Sequence, residues 1–137
     1  MGKFVEWEQK FEVGIPSVDS QHRRLIQLTN ALFDACMKDK ETMDVEFREV
    51  MKESVDYVLV HFKDEERLML ASKYDRFQEH KQKHELFIKT MLESVQEYKT
   101  GKKFVPNNFA RFLRDWLLDH ISISDKEFAR FYFSRAK

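Results

Sequence analysis

The sequence predicts an all-α protein, an antiparallel up-down-up-down four-helix bundle with an extended N-terminal arm and a short C-terminal helix. Turn-forming residues are scarce, since the 137 residues include only 3 glycines and 2 prolines, and this favours few, long elements. Four segments carry apolar residues at helical spacing, and the connections between them are short. The length corresponds to one domain that spans residues 1–137.

The first 18 residues predict an arm that packs its aromatic side chains onto the helical body. Gly14 and Pro16 interrupt this stretch and exclude a long helix within 1–18. Asp19 is a favourable N-cap residue, so the first bundle helix is expected over about 19–38.

The second and third helices follow in the same way. A polar connection precedes the second helix, which is expected over about 44–71. Asp75 with Gln78 resembles a capping box, and this predicts a third helix over about 75–100. Gly101 suits the position just after the end of that helix.

The fourth helix is expected over about 107–121, and a second capping-box pattern at Ser124 predicts a break before a short helix over about 124–134. The break matters because His120 and Asp125 are five residues apart. On a continuous α-helix they would point about 140° away from each other. Both side chains therefore reach one site only if the helix is interrupted between them.

The composition excludes several classes of partner. The chain has 24 basic and 24 acidic residues, so its balanced charge predicts neither a nucleic acid nor an anionic membrane as partner. The one cysteine, Cys36, excludes an internal disulfide. We find no apolar run of membrane-spanning length and no signal-peptide pattern, so a cytoplasmic protein without membrane insertion is expected.

The histidines carry the functional prediction. A single core histidine usually forms a hydrogen bond with a neighbouring group, because its nitrogens lose water on burial. Here every histidine of the chain lies on an inward-facing helical stripe, and two of them are spaced i, i+4. A metal ion would bind all of them at once; the five are His22, His61, His80, His84 and His120.

Two carboxylates complete the candidate ligand set. Glu65 follows His61 by four residues, so both point from one helix face, and a buried carboxylate needs a cation or an ion pair. Asp125 is the second candidate, although an acid in the first turn of a helix is also favoured by the helix dipole alone. Glu66, about 100° further around the helix, is expected to be solvated.

Five imidazoles and two carboxylates suit iron better than zinc or calcium. Structural zinc usually takes four ligands, often thiolates, and calcium takes oxygen ligands throughout. Seven ligands exceed the needs of one octahedral ion, which predicts a two-metal site. With two bridging carboxylates and one bridging oxygen, about one coordination position in two octahedral irons stays open for a small molecule.

With these motifs the sequence resembles the hemerythrin family, and most closely the single-domain bacterial hemerythrins. The departures are minor, with Val18 where Ile is commoner and Asp75 where Pro often stands. The resemblance covers nearly the whole chain and is carried by Trp7 with Phe11, Val13-Gly14-Ile15, Val18-Asp19-Ser20-Gln21-His22, His61-Phe62-Lys63-Asp64-Glu65-Glu66, Met69, His80, His84, Trp116-Leu117, His120-Ile121 and Asp125.

The resemblance implies reversible O₂ binding at a non-haem di-iron centre with an oxo or hydroxo bridge, and no enzymatic activity beyond weak peroxidase-type side reactions. It also implies roles for the ligands: one iron held by His80, His84 and His120, the other by His22 and His61, with Glu65 and Asp125 bridging both. O₂ is then the main partner, and an oxygen-consuming enzyme is a candidate recipient.

Apolar residues close to the ligands are expected to line a dry O₂ pocket. A dry pocket withholds water and protons, which favours release of O₂ over oxidation of the site. The alternative for these residues is ordinary core packing, with the stronger case for packing at Phe62. The candidates are Leu25, Phe62, Leu117 and Ile121.

Two other functions stay open at this stage. One is a di-iron enzyme with peroxidase-type or NO-directed activity, although no Glu stands three residues before any histidine, as the Glu-x-x-His motifs of such enzymes require. The other is an O₂ or redox sensor that acts through a separate partner. A zinc protease is disfavoured, because the residues between His80 and His84 lack the Glu of the H-E-x-x-H motif.

Overall fold

A computed structural model describes residues 4–101 and 104–135, and this part of the chain is helical with no strand. Helix α1 packs against α2 and α4, and α2 packs against α3. The ring of Phe87 in α3 stacks on Trp116 in α4 at 4.0 Å between centroids, which closes the bundle. The predicted all-helical bundle is confirmed. Its helices are α1 (Pro16–Cys36), α2 (Lys40–Ala71), α3 (Phe77–Thr100), α4 (Pro106–Asp119) and α5 (Lys126–Arg135).

The N-terminal arm lies on the bundle before α1 begins. Phe4 stacks on Phe33 of α1 at 4.1 Å between ring centroids. The backbone N–H of Val5 donates to Asn30 Oδ1 at 2.7 Å, and Asn30 Nδ2 donates back to the Val5 carbonyl at 2.8 Å. Phe11 is buried in the core. The arm therefore packs aromatic side chains onto the body, as predicted; residues 1–3 of the predicted arm lie outside the described residues.

The prediction that Asp19 caps α1 is wrong. The helix begins three residues earlier, at Pro16, whose fixed φ and missing N–H suit a first helical position. Asp19 lies in the first turn and accepts hydrogen bonds from the backbone N–H groups of Val13 at 2.8 Å and Gly14 at 3.0 Å. Its carboxylate thus ties the end of the arm to α1.

Other helix starts also differ from the predicted positions. Helix α2 begins at Lys40 rather than near residue 44, because the Asp39 side chain accepts the backbone N–H of Thr42 at 3.0 Å and caps the helix there. Helix α3 begins at Phe77, so Asp75 does not form the predicted capping box. Gly101 closes α3 with a φ of 73°, a conformation that favours glycine.

The predicted break between α4 and α5 is absent. The chain remains helical through His120–Asp125, which forms a π-helical segment between the two helices. Ser124 does not cap a new helix; its hydroxyl accepts a hydrogen bond from Lys83 Nζ at 3.0 Å. Because π-helical hydrogen bonds join residues i and i+5, the segment aligns His120 with Asp125 without interrupting the helix.

The hydrophobic core forms two clusters, with the histidines between them along the chain. In α1, His22 lies between Val18, which belongs to one cluster, and Leu25, which belongs to the other. In α2, Glu65 likewise lies between Phe62 and Met69. A buried polar layer therefore separates two apolar ones. No helix in the described ranges is both long enough and apolar enough to cross a membrane.

Candidate metal centre

All seven side chains predicted as ligands meet in this buried polar layer. They form two groups, in each of which the ligand atoms lie within 4.8 Å of one another, and Glu65 and Asp125 belong to both groups. None of the seven is more than 5% exposed. The first group contains His80, His84 and His120 with the two carboxylates, and the second contains His22 and His61 with the same two.

Local helix geometry explains how the ligands converge. His80 and His84 are one turn apart in α3, and their rings meet edge to face at 4.7 Å between centroids. His61 and Glu65 are one turn apart in α2, with Nε2 3.7 Å from Oε2. The π-helical segment brings His120 Nε2 to 3.1 Å from Asp125 Oδ1.

Glu65 directs one oxygen toward each group. Its Oε1 lies 2.9 Å from His80 Nε2 and 3.2 Å from His84 Nε2, on the three-histidine side. Its Oε2 lies 4.0 Å from His22 Nε2 and faces the two-histidine side. This is the arrangement that a carboxylate needs if it is to bridge two cations.

Asp125 is divided in the same way. Its Oδ1 lies 3.0 Å from His80 Nε2, on the three-histidine side. Its Oδ2 lies 2.8 Å from His22 Nε2, on the two-histidine side. The two carboxylates thus present four oxygens, two to each histidine group.

Several buried atoms of this layer form no hydrogen bond of suitable geometry among the described residues, although histidine nitrogens and carboxylate oxygens lie close together. They are both ring nitrogens of His22, Oε2 of Glu65 and both carboxylate oxygens of Asp125. Buried polar atoms of native proteins are nearly always paired, and an orphaned buried carboxylate oxygen is costly. The donor set therefore fits metal ions, which would bind most of these atoms together.

The electrostatics of the layer differ between the two groups. Burial lowers the pKa of His61 to about 4, so its ring is neutral and free to bind a cation. Burial also acts to lower the pKa of His120, but the charges and hydrogen bonds of Asp125 and Glu65 together outweigh it and raise the value to about 9. Burial would raise the pKa values of Glu65 and Asp125, yet the surrounding histidines hold both below their ordinary range.

Two histidines have partners on the ring nitrogen that faces away from the centre. The Nδ1–H of His61 donates to Gln21 Oε1 at 2.7 Å, and Gln21 Nε2 donates in turn to Asp64 Oδ2 at 2.9 Å. The Nδ1–H of His84 donates to Glu66 Oε2 at 2.9 Å. These bonds fix the orientation of both rings and direct their Nε2 atoms toward the shared carboxylate Glu65.

The predicted solvation of Glu66 is therefore wrong, because its carboxylate is half-buried against a ligand histidine of the next helix. Sequence reasoning also missed Gln21. The i, i+5 spacing of His61 and Glu66 gives no signal for a contact that joins α2 to α3. The position of Gln21 directly before His22 gives none for a contact with His61.

The four residues predicted to line an O₂ pocket are all buried next to the ligands. Leu25 and Leu117 are each one turn from a ligand histidine, on α1 and α4. Phe62 stacks on His84 at 3.8 Å between centroids, with 4° between the ring planes. It lies 5.9 Å from His61, so its closer contact is with the three-histidine group. Ile121 is fully buried beside His120.

Comparison with known proteins gives the same family throughout. A model of the hemerythrin HHE cation binding domain matches residues 13–132. A bacteriohemerythrin of Pseudomonas paraeruginosa is 36% identical over 119 residues, covering 87% of this chain and 75% of the relative. One of Stenotrophomonas maltophilia is 33% identical over 123 residues, covering 90% and 78%. A wild-type hemerythrin crystal structure superposes with a TM-score of 0.85 at 27% identity, covering 93% of this chain and 96% of that one.

Proposed function

The chain belongs to the hemerythrin family, and from that premise we propose that it binds O₂ reversibly at a non-haem di-iron centre, as an oxygen carrier, store or delivery protein. One observation carries the proposal: two buried ligand groups share both of their carboxylates but contain three and two histidines. A pair of metal ions held this way is unequal, and the ion with fewer histidines keeps room for a small molecule.

In the proposed assignment, His80, His84 and His120 hold one iron and His22 and His61 hold the other. Glu65 and Asp125 bridge the two, which is supported by their oxygens being divided between the groups. When bound, two ferrous ions would supply the electrons and the one open coordination position that reversible O₂ binding requires. The chain itself supplies imidazole Nε2 atoms, fixed in direction by the partners of His61 and His84.

The surrounding apolar side chains would keep water away from the centre. Leu25, Leu117 and Ile121 are each buried to at least 97% and carry no polar side-chain atom. Their exclusion of water and protons is what favours release of unchanged O₂ over irreversible oxidation. Among the described residues, the fully buried titratable groups of this layer are all proposed ligands, which supports binding over turnover.

The test is anaerobic reduction of iron-loaded protein followed by titration with O₂ and quantitation of iron. We expect two irons per chain and a visible absorption band that appears with O₂ and fades when O₂ is removed. Steady consumption of peroxide or NO would instead indicate a di-iron enzyme. Irreversible bleaching that persists after O₂ is removed would likewise favour the enzyme.

A further inference from the structure

The two outward hydrogen bonds of the ligand histidines end on side chains of different charge. On the three-histidine side, the Nδ1–H of His84 donates to the carboxylate of Glu66 at 2.9 Å. On the two-histidine side, the Nδ1–H of His61 donates to the amide oxygen of Gln21 at 2.7 Å. The geometry is closely matched, so the charge of the acceptor is the main difference.

We propose that Glu66 and Gln21 are positioning residues that set the order of metal loading, with the three-histidine site filling first and more tightly. The proposal rests on the proposed di-iron function and deepens it. An anionic acceptor draws the Nδ1 proton and increases the electron density at Nε2, so His84 becomes a stronger metal ligand. A neutral amide fixes the ring of His61 but polarises it less.

The structure fixes both acceptors in place. Glu66 is partly shielded, with its side chain 21% exposed, so its charge acts on His84 with little screening by solvent. The ring of His84 cannot turn away, because Phe62 stacks flat against it at 3.8 Å. Glu66 is thus aimed at one nitrogen of one ligand.

Gln21 is held in its orientation by a hydrogen bond to Asp64. Its Nε2 donates to Asp64 Oδ2 at 2.9 Å, which forces Oε1 to face His61. With the amide held in this sense, it can only accept the Nδ1–H of His61. The other ligand of that site, His22, has no partner for its Nδ1 among the described residues. The two-histidine site therefore has one neutral outer partner and no anionic one.

The experiment is an anaerobic titration of the metal-free full chain with ferrous iron alone. The heat of binding is measured by calorimetry during the titration. For the unchanged protein we expect two separate binding steps. Glu66→Gln retains a hydrogen-bond acceptor but removes the charge, and it should weaken the tighter step about 10- to 100-fold. Gln21→Glu adds a charge on the other side and should strengthen the weaker step, so that the two steps approach each other.

The control is Glu85→Gln, which also removes one negative charge. Glu85 directly follows His84 in α3, but its side chain is 63% exposed and contacts Lys81. The substitution should leave both steps unchanged. Thermal unfolding of each metal-free variant shows whether folding is altered, and Gln21→Glu tests the proposal independently if Glu66→Gln does not fold.

The proposal is overturned if Glu66→Gln weakens both steps equally, or neither, or if Gln21→Glu leaves the weaker step unchanged. Failure of the proposed function has a different signature, because the unchanged chain would then bind no pair of irons or would show no reversible O₂ response. Normal O₂ binding with unaltered metal affinities in both variants would reject only the loading order.

Discussion

The three-histidine and two-histidine halves of the centre share their carboxylates but differ in what surrounds the rings. On the three-histidine side, Phe62 stacks on His84 at 3.8 Å and Trp116 stacks on His120 at 4.3 Å between centroids. On the other side, His22 and His61 meet edge to face at 4.8 Å, with Leu25 close by in α1.

The two halves are suited to different roles. Flat aromatic stacking fixes a ring in a single orientation, which suits an ion that remains saturated and in place. Aliphatic neighbours, and ring nitrogens of His22 that have no hydrogen-bond partner among the described residues, constrain the rings less, which suits an ion that must accept and release a small molecule. We infer that the aromatic half anchors the centre and the aliphatic half provides the exchangeable position.

Removal of one histidine from each half should have the largest effect on iron binding. We expect His84→Ala to reduce the iron content from two ions per chain to one or fewer, because it removes a ligand from the anchoring half and leaves Phe62 without its stacking partner. His61→Ala should keep one ion, held by the other half. Iron quantitation after anaerobic reconstitution measures both, and two ions fully retained in His84→Ala would refute the ligand assignment.

The aromatic side chains beside the three-histidine group should also contribute to the free energy of unfolding. Phe62 is 2% exposed and packs against both Phe87 and Trp116, at 5.9 Å and 5.5 Å between centroids. We expect Phe62→Ala to lower the free energy of unfolding by about 3–5 kcal/mol, because it leaves a cavity among rigid rings. Urea unfolding of the metal-free chain measures this loss.

The matching substitution beside the two-histidine group is Leu25→Ala. Leu25 is 1% exposed, and we expect a loss of about 2–5 kcal/mol with the iron content retained. Air oxidation of the reduced protein should be faster than in the unchanged chain, because the smaller side chain admits water. Leu86→Ala is the control for both substitutions. Leu86 is 67% exposed, so its replacement should change the free energy of unfolding by about 0.5 kcal/mol or less. An unaltered oxidation rate would remove Leu25 from the proposed pocket.

The sequence predicts the meeting of the seven side chains because the requirement is local and strong. Polar residues at helical spacing among apolar ones must be buried, and buried carboxylates need cations. His61 with Glu65, and His80 with His84, satisfy this requirement within a single turn of one helix. The helix period alone is enough to predict that such pairs point the same way.

The features that sequence reasoning missed depend on contacts between helices or on backbone geometry. Glu66 acquires its partner from α3, and the helix period cannot show which helix will lie opposite. The alignment of His120 with Asp125 depends on a π-helical segment, whereas the local capping pattern favours a break. Asp19 has a good capping side chain, but Pro16 starts the helix first and leaves that carboxylate to bind the arm.

Asp64 contacts the Gln21 amide, and its removal should affect iron binding only at the two-histidine half. Asp64 has a side chain that is 45% exposed, so Asp64→Ala should change stability by less than about 1 kcal/mol. Its loss would free the Gln21 amide to rotate and present Nε2 to His61, where two N–H groups would then oppose each other. We expect the weaker iron-binding step to lose affinity a few-fold while the tighter step stays unchanged.

The same titration with ferrous iron measures this effect. The control is Asp56→Ala, because Asp56 is also an exposed aspartate of α2. A loss confined to the tighter step would contradict the division of the centre into two independently supported halves. A loss confined to the weaker step would show that the orientation of a single amide, that of Gln21, is sufficient to adjust one half without the other.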